Sequence, residues 1–419
     1  MVIRGGNEDE ATSINARIHE KFKCIGGECE DTCCAGWTVS LDKKTFKSYQ
    51  KINDPTLRNK IKDGTKRIKS KDNSDPEQYY ARFILKDDLS CPMLTVDKWC
   101  MIQKEIGEQA LSKTCTTYPR NLNKLDGTYE LSGRVSCPEI ARLVLFETKG
   151  IEFEEIEIEI EQQWTLLKRN SSERGLAQYF WPIRMLSIEI VQNRQISLGD
   201  RMVLLGLFIN ALQKDIDENK GHTIPNVINS YKEKLLDTDY LGSIEKIQVN
   251  LELQLQVLFE LIKSRIEMGI SSERYQLTFN EMMEGLKINQ EKYTLNSFKF
   301  NYEENFKNFY SPYMNTKEYI MENYIVNYLF NILFPVLSEE NDSLFLGYAI
   351  ISTIYAMLKV HLVGVSGKYQ GLNDDVVLRT IQSFAKIIEH NATYITSIIE
   401  ELKRNNYYSL AHISLMVKD

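Results

Sequence analysis

The second half of the chain repeats apolar residues at the spacing of one α-helix face. From about Trp164 onward, apolar side chains recur three and four positions apart. SLGDRMVLLGLFINALQKDI begins at Ser197, the predicted N-cap, and LELQLQVLFELIKSRIEMG stops at Gly269. DDVVLRTIQSFAKIIEHNATYITSIIEEL predicts one or two more helices. No repeat period of roughly 20 to 50 residues is visible, so the pattern indicates an irregular helical domain.

Two stretches differ from this pattern. LFLGYAIISTIYAML, from Leu344 to Leu358, is the most apolar segment, but Lys359 and His361 interrupt it before the ~20 residues that a bilayer requires. We therefore expect a buried helix and no membrane partner. IEFEEIEIEIEQ, from Ile151 to Gln162, alternates apolar and acidic residues, which favours a strand with one solvated face.

Two further stretches are predicted to be loops. The basic stretch from Arg58 to Lys71 lacks interleaved aromatic residues for base stacking and is interpreted as a mobile surface loop. GVSGKYQG, from Gly364 to Gly371, is interpreted as a loop that ends a helix.

Composition and charge narrow the function classes. The chain has 419 residues, 43% of them hydrophobic and 26% charged, which is typical of a globular protein. Its net charge of -7 argues against nucleic acid as a partner. The first residues contain no apolar run next to a cleavage site, so a cytoplasmic location is expected.

The cysteines are confined to the first third of the chain. A small buried hydrophobe would be scattered along the whole length, so this confinement indicates one shared site. The eight residues are Cys24, Cys29, Cys33, Cys34, Cys91, Cys100, Cys115 and Cys137.

Three kinds of cysteine chemistry compete for this site. A reducing cytosol disfavours disulfides. Zinc commonly uses Cys-x2-Cys pairs, and the chain has none. Iron-sulfur clusters tolerate other spacings, such as the gaps of four and three residues that separate Cys24, Cys29 and Cys33. The spacing favours an iron-sulfur site and leaves the other two open.

The spacing of two cysteines raises a geometric problem. MIQKEIGEQALS, from Met101 to Ser112, has helical spacing, and a straight helix would separate Cys100 from Cys115 by ~15 Å. Either the following segment folds back along the helix, or one of the two cysteines has another role.

These patterns together predict a mainly α fold with two parts. Residues 1–150 form an irregular cysteine-rich metal-binding region, and residues 151–419 form an irregular multi-helix domain.

Several motifs in the first third resemble one protein family. CEDTCCAGWTVSLD, CPML, WCMIQKEIGEQALSKTCTTYPRN and SCPEIARLVL, within about residues 20–145, are similar to the flagellin lysine-N-methylases called FliB. The cysteine-rich region of that family is similar to a wider group of zinc- or iron-chelating proteins. ENYIVNYLFNILFP, from Glu322, is compatible with the family but less specific.

The resemblance implies a bacterial cytoplasmic enzyme that methylates lysine amines of flagellin. It implies S-adenosylmethionine as donor and a [4Fe-4S] cluster as cofactor. The cysteines do not follow the Cys-x3-Cys-x2-Cys pattern of radical adenosylmethionine enzymes, because Cys34 follows Cys33 at once. The chain also lacks the Gly-x-Gly-x-x-Gly loop of Rossmann-like methyltransferases.

Arg120, in YPRN, is the one predicted contact for the donor. Its planar guanidinium could bind the donor carboxylate or an anionic cluster, and a structural role in a cap or salt bridge is the alternative. The rival to an enzyme is a metal-carrying or redox-sensing scaffold whose helical half binds a protein partner.

Overall fold

A computed structural model of the chain describes residues 10–16, 21–68, 77, 79–125, 128–159, 167–169, 178–267, 272–288, 294–335, 343–389 and 392–418. The first part mixes short strands and helices. They are β1 (Glu10–Ala16), β2 (Ser40–Leu41), α1 (Lys43–Tyr49), α2 (Pro55–Asp63), β3 (Thr65–Arg67), β4 (Ala81–Phe83), α3 (Met101–Glu105), α4 (Lys113–Thr117), β5 (Arg120–Leu125), β6 (Thr128–Gly133), α5 (Pro138–Leu145), β7 (Phe153–Glu159) and β8 (Leu167–Arg169).

From Phe180 onward the described chain is helical, as predicted, whereas the strand β8 lies within the stretch from Trp164 that was predicted to be helical. Its helices are α6 (Phe180–Val191), α7 (Leu198–Asp217), α8 (Ile224–Leu236), α9 (Thr238–Glu245), α10 (Leu251–Glu267), α11 (Glu273–Gly285), α12 (Leu295–Asn305), α13 (Ser311–Lys317), α14 (Tyr319–Asn331), α15 (Leu344–Tyr369), α16 (Asp374–Glu389), α17 (Ala392–Arg404) and α18 (Leu410–Val417). The predicted cap of α7 is confirmed, because the Ser197 side chain accepts a hydrogen bond from Asp200 N. Gly269, the predicted end of α10, lies outside the described residues.

Two sheets lie in the first part. The larger has the strand order β7-β1-β6-β5-β8, with β5 and β6 forming an antiparallel hairpin and β1 parallel to β6. The predicted strand is confirmed as β7, which pairs antiparallel with β1. The smaller sheet has the order β2-β4-β3. The sequence patterns predicted only one of these strands. β2, β3, β4 and β8 have two or three residues, too few to show a period, whereas the longer β1, β5 and β6 were missed.

The most apolar segment forms the central helix α15. By length and composition this helix could cross a membrane, but 94% of its most apolar window is buried inside the protein. The prediction of a buried helix is therefore confirmed. The predicted loop at Gly364 is wrong, because α15 continues to Tyr369 and ends at Gln370, which has a φ of 53°.

The basic stretch is wrongly predicted as a loop over residues 58–67. Asp54 caps α2 by accepting a hydrogen bond from Leu57 N, and Pro55 begins the helix. Leu57 and Ile61 anchor that helix in the core, and β3 follows. Residues 69–71 lie outside the described part of the chain.

Buried apolar residues form two clusters. The smaller contains residues from Val39 to Ile102, among them Cys91, and Cys34, Cys100 and Cys115 pack against it. The larger fills the helical part, and Phe22, Ile140 and Val144 of the first part join it. The domain boundary at residue 150 stays a prediction.

Candidate functional site

All eight cysteines line two adjoining cavities. Cys33, Cys34 and Cys100 line both of them. The first cavity adds Cys24, Cys29 and Cys137, and the second adds Cys91 and Cys115. The thiols are free, and they come from separate segments between residues 24 and 137. The fold therefore brings together the residues that the sequence analysis assigned to one site.

The first segment is a loop that turns at glycine. Gly26 has a φ of 56°, and a turn of 3-10 helix covers Gly26–Glu28. Cys29 N then donates to Gly26 O at 3.2 Å. The indole of Trp99 lies directly against Gly26, so close that an added Cβ would come within 2.3 Å of the ring. This contact holds the loop at the mouth of the first cavity.

Backbone pairing aligns the central cysteines. Cys91 N donates to Cys34 O at 2.7 Å, and Ala35 forms an antiparallel bridge with Ser90. Leu94 forms a second bridge with Cys100. These bonds place Cys34, Cys91 and Cys100 around the second cavity.

The straight helix predicted between Cys100 and Cys115 is broken. Helix α3 ends at Glu105, and Gly107 has a φ of 108°, which glycine adopts at little cost. A short 3-10 turn follows, and the Ser112 side chain caps α4 by accepting from Cys115 N at 3.3 Å. The chain folds back, so both cysteines line the second cavity.

The walls of the second cavity are largely apolar. Trp37 Nε1 donates to Cys33 O at 2.7 Å, and the Trp37 ring lies 5.4 Å from the ring of Tyr118. Tyr49 donates its hydroxyl to Ala110 O at 2.8 Å. Burial, followed by nearby thiols led by Cys115, raises the pKa of Tyr49, so its phenol stays protonated. These aromatic side chains limit water access to the inner thiols.

Burial keeps the inner thiols protonated in the absence of a cation. It raises the pKa of Cys29 and Cys91 to about 11 and that of Cys115 and Cys137 to about 12. Charge on Cys33 would raise the pKa of each of these thiols further, so the thiols are electrostatically coupled.

Cys33 as a residue is exposed to solvent, but its thiol is largely surrounded by protein atoms. A hydrogen bond with Cys34, followed by desolvation, raises the pKa of Cys33, and the positive charge of Lys386 opposes the rise. A bound metal would supply far more positive charge and convert such thiols to thiolates.

The donor set matches a sulfur-ligated metal group in its chemistry. Thiolates are the ligands of iron-sulfur clusters and of many zinc sites. Within the described residues, no three His, Cys, Asp or Glu side chains are already arranged to hold a single metal ion. The role of each cysteine as a ligand remains a prediction.

Arg120 lies next to the site without lining it. It is exposed at the start of β5, and its guanidinium stacks 5.1 Å from the ring centre of Phe22. Phe22 lines the first cavity, whereas Arg120 lines neither cavity. Its role as a donor contact stays a prediction.

Sequence reasoning missed the polar residues that attach the cysteine loop to the helical part. Lys386 Nζ, on α16, contacts both carboxylate oxygens of Asp31 at 2.9 and 3.0 Å. Gln382, one turn earlier, donates to Asp31 and to Ser136 O. The apolar period predicted this helix but gave no signal for the partners of its polar residues.

Comparisons with known proteins agree with the earlier resemblance. Residues 184–416 match the FliB lysine N-methylase C-terminal domain. Over 137 residues, 32% of this chain, the sequence is 34% identical to a lysine-N-methylase of Salmonella typhimurium and 36% identical to the flagellar biosynthetic protein FliU of Salmonella muenchen. The aligned stretch covers 33% of the former protein and 78% of the latter.

No solved structure matches the chain. The C-terminal domain match spans more than half of the chain, and it begins within the helical part that holds the cysteine loop in place. On this evidence, the chain belongs to the FliB lysine N-methylase family.

Proposed function

We propose that this protein transfers methyl groups from S-adenosylmethionine to lysine side chains of flagellin, and that its cysteines bind a [4Fe-4S] cluster. The observation that carries the proposal is the convergence of all eight thiols on two adjoining cavities. Membership of the FliB family and the printed names of the relatives, lysine-N-methylase and a flagellar biosynthetic protein, support the reaction and the substrate.

The cysteines that line both cavities are the first candidates for ligands. Cys33, Cys34 and Cys100 occupy the shared wall, so a group bound there would contact thiols from two separate parts of the chain. When bound, the cluster supplies a centre for electron transfer or for coordination at iron. The other five thiols line one or the other of the two cavities.

Methyl transfer to lysine imposes a requirement on the protein. The new N–C bond needs the nitrogen lone pair, while the broken S–C bond returns its electrons to sulfur and leaves a neutral thioether. A free lysine has a pKa of about 10.4, so the enzyme must remove a proton or desolvate the amine. Asp31 and Glu139 are the carboxylates that line the first cavity.

These two carboxylates differ in accessibility. Asp31 is held by Lys386, and its side chain is 12% exposed, whereas Glu139 pairs with Arg142 and is 23% exposed. Glu139 is therefore the better-placed acceptor for the proton of an incoming ammonium group.

The proposal is tested by anaerobic purification of the full chain, followed by quantification of iron, sulfide and zinc. About four irons and four sulfides per chain are expected for one [4Fe-4S] cluster. Stoichiometric zinc without iron would contradict the cluster. The loaded protein is then incubated with flagellin and methyl-labelled S-adenosylmethionine, with flagellin whose lysines were fully dimethylated beforehand as the control.

Label on lysine in unmodified flagellin, and little in the control, would support the reaction. A protein with a complete cluster, no saturable binding of S-adenosylmethionine and no label on flagellin would contradict the methyltransferase and favour a cluster-binding scaffold.

A further inference from the structure

Helix α16 contacts the cysteine loop through two polar residues one turn apart. Gln382 and Lys386 are separated by four positions, so they lie on the same face of the helix. Both contact Asp31, which lies between Cys29 and Cys33. The helix belongs to the part of the chain that matches the FliB C-terminal domain.

Gln382 joins three segments through a buried amide. Its side chain is fully buried, and Nε2 donates to Asp31 Oδ2 at 2.8 Å and to Ser136 O at 2.7 Å. Its Oε1 accepts a hydrogen bond from Arg274 Nε, on α11, at 2.7 Å. Ser136 directly precedes Cys137. One amide therefore connects the Cys29–Cys34 segment to the segment that carries Cys137.

Lys386 adds a charged attachment. Besides both oxygens of Asp31, its ammonium donates to Thr32 O at 3.0 Å. The side chains of Lys386 and Asp31 are only 11% and 12% exposed. Three charge-assisted hydrogen bonds at such burial hold the loop far more firmly than an exposed ion pair would. Its contact with Thr32 O places this ammonium beside the residue that precedes Cys33, so a positive charge lies next to the cysteine loop.

We propose that Gln382 and Lys386 are positioning residues of the cysteine site: they hold residues 30–32 and Ser136, and through them set the relative positions of Cys29, Cys33 and Cys137. The inference rests on the proposed role of the cysteines as ligands. In this arrangement, the helical domain helps to shape a metal site to which it contributes no cysteine.

The test measures hydrogen–deuterium exchange in the full chain, purified anaerobically. Lys386→Met keeps the aliphatic stem and removes the charge, whereas Lys386→Arg keeps the charge. Gln382→Glu keeps an acceptor for Arg274 and removes both donor hydrogens. Lys368→Met is the matched control, because Lys368 forms an exposed ion pair with Glu284 elsewhere in the helical part.

Lys386→Met is expected to speed exchange in peptides that cover residues 30–34 by about tenfold, with little change in α7. Lys386→Arg should restore most of the protection, and Lys368→Met should resemble the natural protein. Gln382→Glu should also speed exchange next to Ser136. Unchanged exchange at residues 30–34 in both Lys386→Met and Gln382→Glu would overturn the inference. An equal increase along the whole chain would also overturn it.

A second measurement, the reduction potential of the cluster, tests the effect of the Lys386 charge on the cysteine site. If the natural protein carries a cluster, Lys386→Met should shift its reduction potential to a more negative value, because a positive charge is lost, and Lys386→Arg should reverse the shift. A cluster potential that Lys386→Met leaves unchanged would overturn the electrostatic part of the inference. Absence of any cluster from the natural protein would contradict the proposed function, whereas the exchange data would still decide the positioning role.

Discussion

At the scale of single residues, two glycines near the cysteines share a positive φ but differ in the space around them. Gly26 and Gly36 both have positive φ values, 56° and 85°, which cost a residue with a Cβ about 1 to 2 kcal/mol. An added Cβ at Gly26 would collide with the Trp99 ring, whereas one at Gly36 would meet no atom within 4 Å. The pair therefore separates backbone strain from loss of the indole contact.

Gly36→Ala is expected to lower the free energy of unfolding by about 1 kcal/mol through strain alone. Gly26→Ala should lower it by at least about 2 kcal/mol, because Trp99 must also move. Chemical denaturation measures both losses, and tryptophan emission of the folded state reports the displaced indole. Equal losses with unchanged emission would contradict the contact.

A buried histidine gives a pH dependence of stability. His361 is fully buried on α15, with Nδ1 2.7 Å from Met357 O and Nε2 2.9 Å from the Tyr275 hydroxyl. A histidine nitrogen next to a carbonyl oxygen donates its hydrogen, so Nε2 accepts from Tyr275. Burial lowers the pKa of His361 to about 4, and Arg265 opposes protonation further.

Because the unfolded histidine titrates at about 6.5, the unfolded state binds more protons between the two values. The contribution of neutral His361 is present above about pH 6.5 and is lost as the pH falls towards 4. We expect the loss of this contribution to lower the free energy of unfolding by about 2 kcal/mol between pH 7.5 and pH 5. Denaturation of His361→Phe at both pH values should show a smaller difference, and an unchanged difference would contradict this assignment.

At the scale of elements, glycines allow two long helices to cross in close contact. A Cβ at Gly285 of α11 would lie 1.8 Å from Gly364 O on α15. Gly364 is itself so close to Met282 that it has no room for a side chain. This contact explains why glycine stands inside α15, where the sequence pattern suggested the end of a helix.

Gly285→Ala should force α11 and α15 apart and lower the free energy of unfolding by about 3 kcal/mol or more. Gly242→Ala is the control, because Gly242 lies within α9 and an added Cβ meets no atom within 4 Å. The control should raise the free energy of unfolding by about 0.5 to 1 kcal/mol through helix propensity. A loss at Gly285 no greater than the effect at Gly242 would refute close crossing.

At the scale of the whole molecule, buried polar contacts attach the sheet to the helices. Arg184 Nη1 of α6 contacts both oxygens of Glu130 of β6 at 2.7 and 2.9 Å, and both side chains are 1% exposed. Nearby, Asn331 at the end of α14 donates to Gly133 O at 2.7 Å. Burial raises the pKa of Glu130, and Arg184 opposes the rise.

Arg184→Met should lower the free energy of unfolding by about 3 to 5 kcal/mol, since it leaves Glu130 buried without its cation. Adding Glu130→Gln should recover part of that loss, because no unpaired charge remains. A double-mutant cycle by chemical denaturation measures the coupling. Simple additivity of the two losses would show that the pair is not coupled.

Local patterns predicted much of the helical part and the membership of the cysteine site. Three-and-four spacing identified α7, and continuous apolar character identified the buried helix α15, because both are properties of neighbouring residues. The sheet was mostly missed, since β1 pairs in parallel with β6, more than a hundred residues away. The sequence analysis followed the helical period of residues 101–112 and did not use Gly107, where the helix between Cys100 and Cys115 is broken.

The sequence by itself determined that all thiols belong to the first third and that the rest is helical, because clustering and periodicity are visible along the chain. Only the tertiary structure decided which thiols share a cavity wall and which helix residues hold them. Asp31 and Lys386 are 355 positions apart, and no local spacing specifies such a contact. It arises when packing of the two hydrophobic clusters brings a buried amide and an ammonium group against the cysteine loop.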